Sequence, residues 1–467
     1  MSATRDTAID AKSQKQLLKS VNILKNPMRI GFIGLNPDSH WAATAHVPAL
    51  QSLTDDKFTE FFFKKGSKPG GKEMEMKDHD RQLSRREFIQ QTAAVGAGIM
   101  LARPSQLFAE TIQAGGTNMN IKSKGYAAVD TSGKLQPWEF ERRPVGDNDI
   151  LIDIKYASIC HSDIHQMKGH WGPQQYPQIP GHEIVGVVAA VGKNVTKFKV
   201  GDRAGVGCMV DSCLECEECK GEEEQYCPET VFTYGYPQKS SPTGISQGGY
   251  STNIVVRDHF AVHLPDHISF QEAAPLLCAG ITTYSPIMKF DLKKGDKVGV
   301  AGIGGLGHMA IKLAVSKGAD VYAFTTSPGK VKDILAFGAK EAVVVDDISK
   351  LAPYKGKLDY MIATIPVQYD VAAYAAVVKP YGTYTQVGMP EKFELTLNNL
   401  GLSISRVNYN ASLIGGMKET QDVVNYCADN KVLPQIQIIE AAQVNEAWEN
   451  VVSKQARYRY VIDAATF

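Results

Sequence analysis

Four cysteines lie close together in the stretch CLECEECKGEEEQYC, which begins at residue 213. Their spacing, C-x2-C-x2-C-x7-C, is typical of a structural zinc site, because tight Cys-x-x-Cys turns present several thiolates to one tetrahedral ion. The neighbouring glutamates are harder ligands and are interpreted as a solvated rim. The alternative is a polar loop of reduced cysteines, and Cys208 is left outside the group as a small buried side chain. The predicted ligands are Cys213, Cys216, Cys219 and Cys227.

A second set of metal-ligating residues is spread over three separate segments. Cys160 lies in CHSDIH, His182 and Glu183 lie in PGHE, and the isolated Cys278 lies in PLLCAGITTY. Two sulfurs, a nitrogen and a carboxylate suit a zinc ion that keeps, or can open, one position for substrate. Each residue also has an ordinary interpretation, as a core thiol, a satisfied buried histidine or a surface charge. Spacing along the chain does not establish that they meet, so a catalytic cluster is a hypothesis at this stage.

The segment AGIGGLGHMA carries the pattern G-x-G-x-x-G at Gly302, Gly304 and Gly307. The glycines follow an apolar strand and open a helix, where backbone amides at a helix N-terminus hold a pyrophosphate. The alternative is a glycine turn with no ligand. We predict dinucleotide binding, with Gly305 and Leu306 in the same loop.

The next predicted strand ends in FTTS, at residues 324 to 327. A site for NAD usually carries an acidic residue there for the ribose hydroxyls, and none is present. Thr326, Ser327 and Lys330, with Thr325 beside them, can instead hydrogen-bond and neutralise a 2'-phosphate. This favours NADP, although the hydroxyls can also simply cap the following helix.

Composition excludes several classes of function. Fifty basic residues balance fifty acidic ones, so no overall field attracts nucleic acid or an anionic membrane. No apolar run approaches the about eighteen residues that a membrane span needs. The 467 residues, 43% of them hydrophobic, suffice for two or three domains. We therefore expect a soluble enzyme or binding protein that acts on a small molecule.

The elements that position these residues follow two patterns. DILIDIKYA at 149 to 157 alternates as a half-buried strand, and IVGVVAAVG at 184 to 192 is a more buried strand, which together suggest a barrel-like β domain. From about residue 280, strands and helices alternate in the order KVGVAG, GGLGHMAIKLAVSKGA, DVYAFTT, PGKVKDILAFGA and EAVVVD, which predicts a parallel sheet with covering helices. The tail from about 417 is mixed and ends on a strand, YRYVIDA.

Taken together, these motifs resemble, in order and spacing, the zinc-dependent medium-chain dehydrogenases/reductases, in particular their cinnamyl alcohol dehydrogenase branch. The resemblance covers about residues 120 to 467. It implies an α/β fold in which a GroES-like β-barrel catalytic domain is joined to a doubly wound Rossmann domain. The domains expected from it are a catalytic domain at 118–277 with the structural zinc lobe, an NADP-binding domain at 278–416, and a segment at 417–467 that returns to the catalytic domain.

The resemblance also assigns roles to single residues. Cys160, His182 and Cys278 match the catalytic zinc ligands, and Glu183 matches a nearby carboxylate that can coordinate or exchange with water. Cys213, Cys216, Cys219 and Cys227 match the structural zinc. Ser162 matches the hydroxyl that hydrogen-bonds the substrate oxygen, and His165 matches the distal member of a proton relay. His161 matches a residue that contacts the cofactor phosphate. Asp163 is expected to orient His182. Trp171 is a candidate wall of the substrate cleft, or an ordinary core tryptophan. A homodimer is expected from the resemblance alone.

Two shorter resemblances concern the first part of the chain. SRREFIQ at 84–90, followed by QTAAVGAGIMLA, resembles a twin-arginine export signal within a leader and linker at 74–117. This predicts a periplasmic enzyme if translation starts near Met74, and a cytoplasmic one otherwise. MRIGFIGLNPDSHWAATAHVPAL resembles the start of the glucose-fructose oxidoreductase family, so residues 1–73 are interpreted as a poorly ordered extension or Rossmann remnant.

The sequence therefore predicts a zinc- and NADP-dependent alcohol dehydrogenase that acts as a broad aldehyde reductase. One alternative is an NAD-linked polyol dehydrogenase, which an acidic residue at the end of the second strand would favour. The other is a catalytically silent dinucleotide-binding redox sensor, which the loss of a metal ligand would favour.

Overall fold

A computed structural model describes residues 119–467, which all belong to one compact unit of the chain. The interpretations of residues 1–73 and of the leader at 74–117 lie outside these described residues and stay predictions. The boundaries proposed between the domains also stay predictions.

The described residues form seventeen strands. In chain order these are β1 (Ile121–Ala128), β2 (Leu135–Arg142), β3 (Asp149–Ser158), β4 (Ile184–Val191), β5 (Arg203–Val206), β6 (Met209–Asp211), β7 (Val231–Phe232), β8 (Asn253–Arg257), β9 (Ala261–His263), β10 (Lys297–Ala301), β11 (Asp320–Thr325), β12 (Glu341–Val344), β13 (Leu358–Ala363), β14 (Val378–Gln386), β15 (Asn408–Ala411), β16 (Ile436–Glu440) and β17 (Arg459–Asp463).

Ten α-helices accompany the strands in the described part of the chain. They are α1 (His161–Met167), α2 (Glu217–Lys220), α3 (Phe270–Ala273), α4 (Ala279–Lys289), α5 (Gly305–Ser316), α6 (Val331–Ala336), α7 (Val371–Ala375), α8 (Asn399–Ser405), α9 (Met417–Asn430) and α10 (Val444–Val452).

The first large sheet is the barrel-like one that the sequence predicts. Its strand order is β16-β17-β3-β4-β5-β9, and β8 also pairs with β3. Strand β3 buries most of its residues because β4 and β8 flank it on either side, both antiparallel. The last strand of the chain, β17, pairs antiparallel with β3 as well. The C-terminal segment therefore lies beside the strand that leads into the CHSDIH motif.

The second large sheet is parallel, with the order β12-β11-β10-β13-β14-β15. The strands and helices predicted from residue 297 onwards are present, and the parallel pairing follows because helices such as α5 and α6 return the chain to the same edge of the sheet. The expected helix PGKVKDILAFGA begins with a 3-10 turn at Pro328–Lys330 and becomes α-helical only from Val331, since its first residues form the turn after β11. The predicted α/β class, a GroES-like domain with a Rossmann domain, is confirmed.

One continuous hydrophobic core joins the two sheets. It contains residues of β3 and β4, of α4, and of the central strand β10. Helix α4, whose N-cap residue is Cys278, is almost entirely buried in this core, so Cys278 precedes a firmly packed element. No helix among the described residues has both the length and the apolar character to cross a membrane.

Candidate active site and metal centres

The hypothetical catalytic cluster comes together in the structure. Cys160 follows β3 and precedes α1, His182 and Glu183 directly precede β4, and Cys278 precedes α4. All four side chains are buried, and one potential ligand atom from each lies within 4.8 Å of the others. The sulfur atoms of Cys160 and Cys278 are 3.9 Å apart.

Two observations besides the geometry indicate that these four side chains fit a zinc ion. The Oε2 atom of Glu183 is buried and has no hydrogen-bond partner among the described residues, as expected of an atom that faces a cation. The pKa of the Cys160 thiol lies well below its ordinary value, because Cys278 hydrogen-bonds to it and His182 adds positive charge against the opposing effect of burial. A buried thiolate among two further nitrogen and sulfur donors is the chemistry that zinc prefers.

The imidazole of His182 is oriented by groups behind it. Its Nδ1 lies 2.9 Å from Oδ1 of Asp163 and 3.0 Å from the hydroxyl of Tyr234. Asp163 is completely buried and also accepts hydrogen bonds from the backbone amide of Cys160 at 2.9 Å and the hydroxyl of Tyr250 at 2.9 Å. One carboxylate therefore orients two residues of the candidate metal cluster, which leaves Nε2 of His182 as the atom available to an ion.

Glu183 forms a buried ion pair with Arg459 of β17. Burial alone lowers the pKa of an arginine, but here Glu183 and the nearby thiols raise the pKa of Arg459 above its ordinary value. Arg459 also lies against Gly305, where an added Cβ would come 2.7 Å from Nη1. The guanidinium therefore stands between the metal cluster and the glycine-rich loop.

The residues expected in a proton relay lie on α1. The Oγ of Ser162 is 3.6 Å from the sulfur of Cys160. His165 is buried, and its ring stacks on that of His161 at a centroid distance of 4.6 Å. Burial, with smaller contributions from His161 and His170, lowers the pKa of His165 to about 3, so its imidazole is neutral throughout the physiological range.

The four-cysteine lobe forms the second centre. The sulfurs of Cys213, Cys216, Cys219 and Cys227 lie within 4.8 Å of one another, and no disulfide links them. Backbone amides donate to these sulfurs, for example from Cys216 to Cys213 at 3.3 Å and from Glu229 to Cys227 at 3.4 Å. Such amide donors lower the pKa of the Cys213 thiol to about 7. Four thiols with this geometry fit a tetrahedral structural zinc.

The glycine-rich loop connects β10 to α5. Gly302 has a φ of +85°, and a Cβ on Gly307 would meet the carbonyl oxygen of Gly302 at 2.0 Å, so both positions need glycine. A Cβ on Gly304, in contrast, would meet nothing within 4 Å. The space beside Gly304, at the N-terminus of α5, fits the phosphates of a dinucleotide.

The turn after β11 carries the residues expected near a 2'-phosphate. Thr325 is buried, whereas Thr326 is exposed and Ser327 is half-buried. The Nζ of Lys330 reaches back to the carbonyl oxygen of Ile303 in the glycine-rich loop, at 2.7 Å. Burial and the nearby Arg457 lower the pKa of Lys330 to about 8. Lys330 thus connects the two turns that would face the cofactor.

Three residues of this region escaped the sequence analysis, and a fourth, Cys208, was interpreted only as a small buried side chain. Tyr234 contacts His182 and Arg459 contacts Glu183, both from segments far along the chain. Tyr250 contacts Asp163 behind the cluster, and no local pattern marks any of the three. Cys208 is half-buried rather than buried, and its sulfur lies 3.9 Å from the carbonyl oxygen of Leu277. Hydrogen bonding to Cys160 and, to a smaller extent, to Cys208 raises the pKa of Cys278. The only sequence signal for Cys208 was its position close to the four-cysteine lobe. That position indicated the structural centre rather than the cluster around Cys160.

This fold and its two sulfur-containing centres define the class of two-domain, metal-containing dehydrogenases. Two family patterns match the chain: the alcohol dehydrogenase GroES-like domain at residues 146–266 and the zinc-binding dehydrogenase at residues 305–429.

Individual relatives agree with these matches. An NADP-dependent alcohol dehydrogenase C from Mycolicibacterium smegmatis is 44% identical over 73% of this chain and 97% of its own length. Cinnamyl alcohol dehydrogenase 2 of Arabidopsis thaliana is 42% identical over 74% of this chain and 92% of its own length. A crystal structure of a cinnamyl alcohol dehydrogenase from Helicobacter pylori with NADP(H) is 41% identical, covers 74% of this chain and 99% of its own, and superimposes with a TM-score of 0.71. The chain belongs to the zinc-binding alcohol dehydrogenase family.

Proposed function

We infer that the protein is a zinc-dependent oxidoreductase that transfers a hydride between NADP(H) and a primary alcohol/aldehyde pair, and that it acts as a broad aldehyde reductase. The observation that carries this inference is the buried cluster of Cys160, His182, Glu183 and Cys278, whose ligand atoms lie within 4.8 Å of one another. The glycine-rich loop, with its open space at Gly304, supports a dinucleotide as the second component.

The roles of the chain's own residues follow from their positions. A zinc ion held by Cys160, His182 and Cys278 would act as a Lewis acid toward the substrate oxygen. NADPH bound at the glycine-rich loop would supply the hydride. Asp163 holds His182 in the required tautomer and orientation. Ser162 hydrogen-bonds the substrate oxygen, and the neutral imidazole of His165 accepts or donates the proton.

The preference for NADP rests on the turn after β11. Thr326 and Ser327 can donate hydroxyl hydrogen bonds to a 2'-phosphate, and Lys330 contributes positive charge from beneath the turn. No acidic side chain stands at residues 324 to 327 to receive the ribose hydroxyls of NAD.

The direct test is the loss of NADPH absorbance with a panel of aromatic and aliphatic aldehydes, with NADH in parallel. A polyol belongs in the panel in the oxidising direction, because a relative in Medicago sativa that is 43% identical is named a probable mannitol dehydrogenase. We expect turnover with aldehydes that prefers NADPH and disappears in a Cys160→Ser variant. If the folded, zinc-loaded protein shows no turnover with any substrate, the reductase assignment is wrong and a silent redox sensor is the better description.

We also propose that the protein forms a homodimer through the edge of its parallel sheet. Strand β15 is the last strand of that sheet, and Leu400, Ile404 and Tyr381 nearby are 69% to 70% exposed. Exposed apolar side chains beside an unpaired strand edge favour pairing with a second copy. Light scattering of the wild type and of Leu400→Asp should give a dimer and a monomer, respectively. A monomeric wild type would exclude this interface.

Export by the twin-arginine route is proposed from the sequence alone. Arg85 and Arg86 precede the uncharged stretch QTAAVGAGIMLA. Fractionation of a bacterial host should place the protein in the periplasm and an Arg85→Lys/Arg86→Lys variant in the cytoplasm. Equal cytoplasmic amounts of both proteins would exclude export.

A further inference from the structure

We propose that His165, His170 and Glu391 form a third metal site, which binds a divalent transition-metal ion such as Zn²⁺ and inhibits the enzyme when it is occupied. One potential ligand atom from each residue lies within 4.8 Å of the other two. The site is separate from the cluster around Cys160 and from the four-cysteine lobe. Its inhibitory effect rests on the proposed relay function of His165, whereas its binding of metal does not.

The imidazoles of His165 and His170 face each other through their Nδ1 atoms. The Nδ1 atoms of His165 and His170 are 2.9 Å apart, and Nδ1 of His170 is 3.8 Å from Oε1 of Glu391. Two nitrogens that bind one zinc ion at about 2.0 Å lie roughly 3.3 Å apart in tetrahedral geometry. The rings therefore need to separate by only a few tenths of an ångström to admit the ion, and two imidazoles with one carboxylate suit a borderline divalent metal.

The surroundings hold the three ligands in this arrangement. The ring of His165 is packed between those of His161 and Trp171, at centroid distances of 4.6 and 5.2 Å. The indole of Trp171 donates a hydrogen bond to the carbonyl oxygen of Pro390 at 3.2 Å and stacks on Phe393 at 5.3 Å. These two contacts fix the segment that contains Glu391 against the segment that contains His170. The ligands are thus preorganised from both sides, and His170 and Glu391 remain accessible to solvent.

Metal binding changes the tautomer of one of the two rings without changing the charge of either ring. In the free protein one hydrogen lies between the two Nδ1 atoms, since only one of them can donate. An ion bound to both Nδ1 atoms displaces that hydrogen to Nε2 of the ring that carried it, and the other ring already holds its hydrogen on Nε2, so both neutral rings then carry their hydrogen there. The Nε2 of His165 is buried and has no partner among the described residues, so no competing hydrogen bond opposes this tautomer.

Inhibition follows from that tautomer. With metal on Nδ1 and hydrogen on Nε2, His165 has no free lone pair with which to take up a proton. In alcohol oxidation its role as proton acceptor is then blocked. In the reducing direction a proton that leaves Nε2 cannot be replaced through Nδ1. Zinc bound at this site therefore slows turnover in both directions while the catalytic metal stays in place.

The test measures zinc bound per chain by equilibrium dialysis and elemental analysis, on full-length protein that already holds its other zinc ions. Zinc itself is the probe, so exchange at the other two centres does not alter the count. We expect a third, weaker equivalent in the wild type. His170→Gln should abolish it and Glu391→Gln should weaken it at least about tenfold, with the first two equivalents unchanged. The matched control is His267→Gln, because His267 is an exposed histidine that also faces a carboxylate, that of Asp429 at 3.1 Å.

Turnover is then measured against added zinc for the same proteins. The wild type and His267→Gln should be inhibited over the concentration range in which the third equivalent binds, and His170→Gln should not. If the wild type binds only two equivalents, or if His170→Gln keeps the third, the metal site is refuted whether or not the protein reduces aldehydes. If the third equivalent binds and turnover is unchanged, the inhibitory role is refuted.

Discussion

Arg459, on the last strand of the chain, forms a buried ion pair with Glu183, which lies 276 positions earlier, directly before β4. The same guanidinium fills the space beside Gly305 of the glycine-rich loop. One side chain therefore links the carboxylate of the metal cluster to the loop that would hold the cofactor phosphates. The C-terminal segment consequently contacts both the candidate metal cluster and the candidate cofactor loop.

Replacing Arg459 by Met should destabilise the protein by about 3–5 kcal/mol, because the buried carboxylate of Glu183 loses its counter-charge. Chemical denaturation reports this change in the free energy of unfolding. The double variant Arg459→Met/Glu183→Gln should recover part of the loss, since it leaves no unpaired charge. Arg457→Met is the control: Arg457 lies at the surface 3.6 Å from Asp333, and its loss should cost less than about 1 kcal/mol. Equal losses in the two single variants would contradict the role of burial.

Asp163→Asn should lower the affinity for the catalytic zinc by about 10–100-fold. Oδ2 of Asp163 accepts from the Cys160 amide and the Tyr250 hydroxyl, and Oδ1 accepts from the Gly181 amide. Asparagine has only one accepting oxygen, so its amide nitrogen faces the donors on one of these two sides. Competition with a chelator, followed by elemental analysis, measures the loss. The zinc of the four-cysteine lobe should be retained, so the variant is expected to keep one ion. Loss of both ions at the same chelator concentration would indicate unfolding instead.

Two alanine variants in the glycine-rich loop should have opposite consequences. Gly304→Ala should fold normally and bind NADPH poorly, since its methyl group enters the open space where phosphates would lie. Gly307→Ala should be destabilised by roughly 1–3 kcal/mol or more, because its methyl group meets the carbonyl oxygen of Gly302. Thermal unfolding and NADPH fluorescence titration separate the two effects. Normal NADPH affinity in Gly304→Ala would place the cofactor elsewhere.

Cys213→Ser should remove the zinc of the four-cysteine lobe and lower the thermal stability, while the catalytic zinc is kept. Cys213 contacts two of the other sulfurs, Cys219 at 3.9 Å and Cys227 at 3.5 Å, so its loss opens the site on one side. Elemental analysis together with thermal unfolding checks this. Cys427→Ser is the control, since Cys427 is a buried thiol of the hydrophobic core that belongs to neither cluster. A Cys213→Ser protein that holds as many zinc ions as the wild type under the same conditions would contradict the prediction.

Stability should fall as the pH decreases below about 6.5, in part because of His308. Burial lowers the pKa of His308 to about 3, so the folded state keeps this ring neutral while the unfolded chain takes up a proton below about 6.5. Between these values the unfolded state binds more protons, and the free energy of unfolding decreases by up to about 1.4 kcal/mol for each pH unit lowered.

His308→Asn should reduce this dependence, which denaturation at several pH values between about 5 and 7 would measure. The substitution removes the titratable ring, and with it the hydrogen bond that Nε2 of His308 accepts from the Gln435 amide at 3.2 Å. The matched control is His267→Asn, the same substitution at an exposed histidine. An unchanged slope in His308→Asn would show that other groups account for the acid sensitivity.

Local patterns in the sequence were sufficient for the features that depend on neighbouring residues. The Cys-x-x-Cys turns, the strand, glycine loop and helix around Gly304, and the alternation of strands and helices after residue 297 all follow from short-range geometry, and each is present. A tight turn or a helix N-terminus is formed by a few consecutive residues, so a few letters specify it.

Only the tertiary structure decided which distant residues meet. It brought Cys278 to Cys160 across 118 positions, placed Tyr234 and Arg459 behind the metal ligands, and set His170 against His165 and Glu391. These contacts depend on the register of β17 on β3 and on the packing of α4 between the two sheets, which burial of the whole core determines. Because many weak contacts spread over the chain select that packing, no short stretch of sequence contains it.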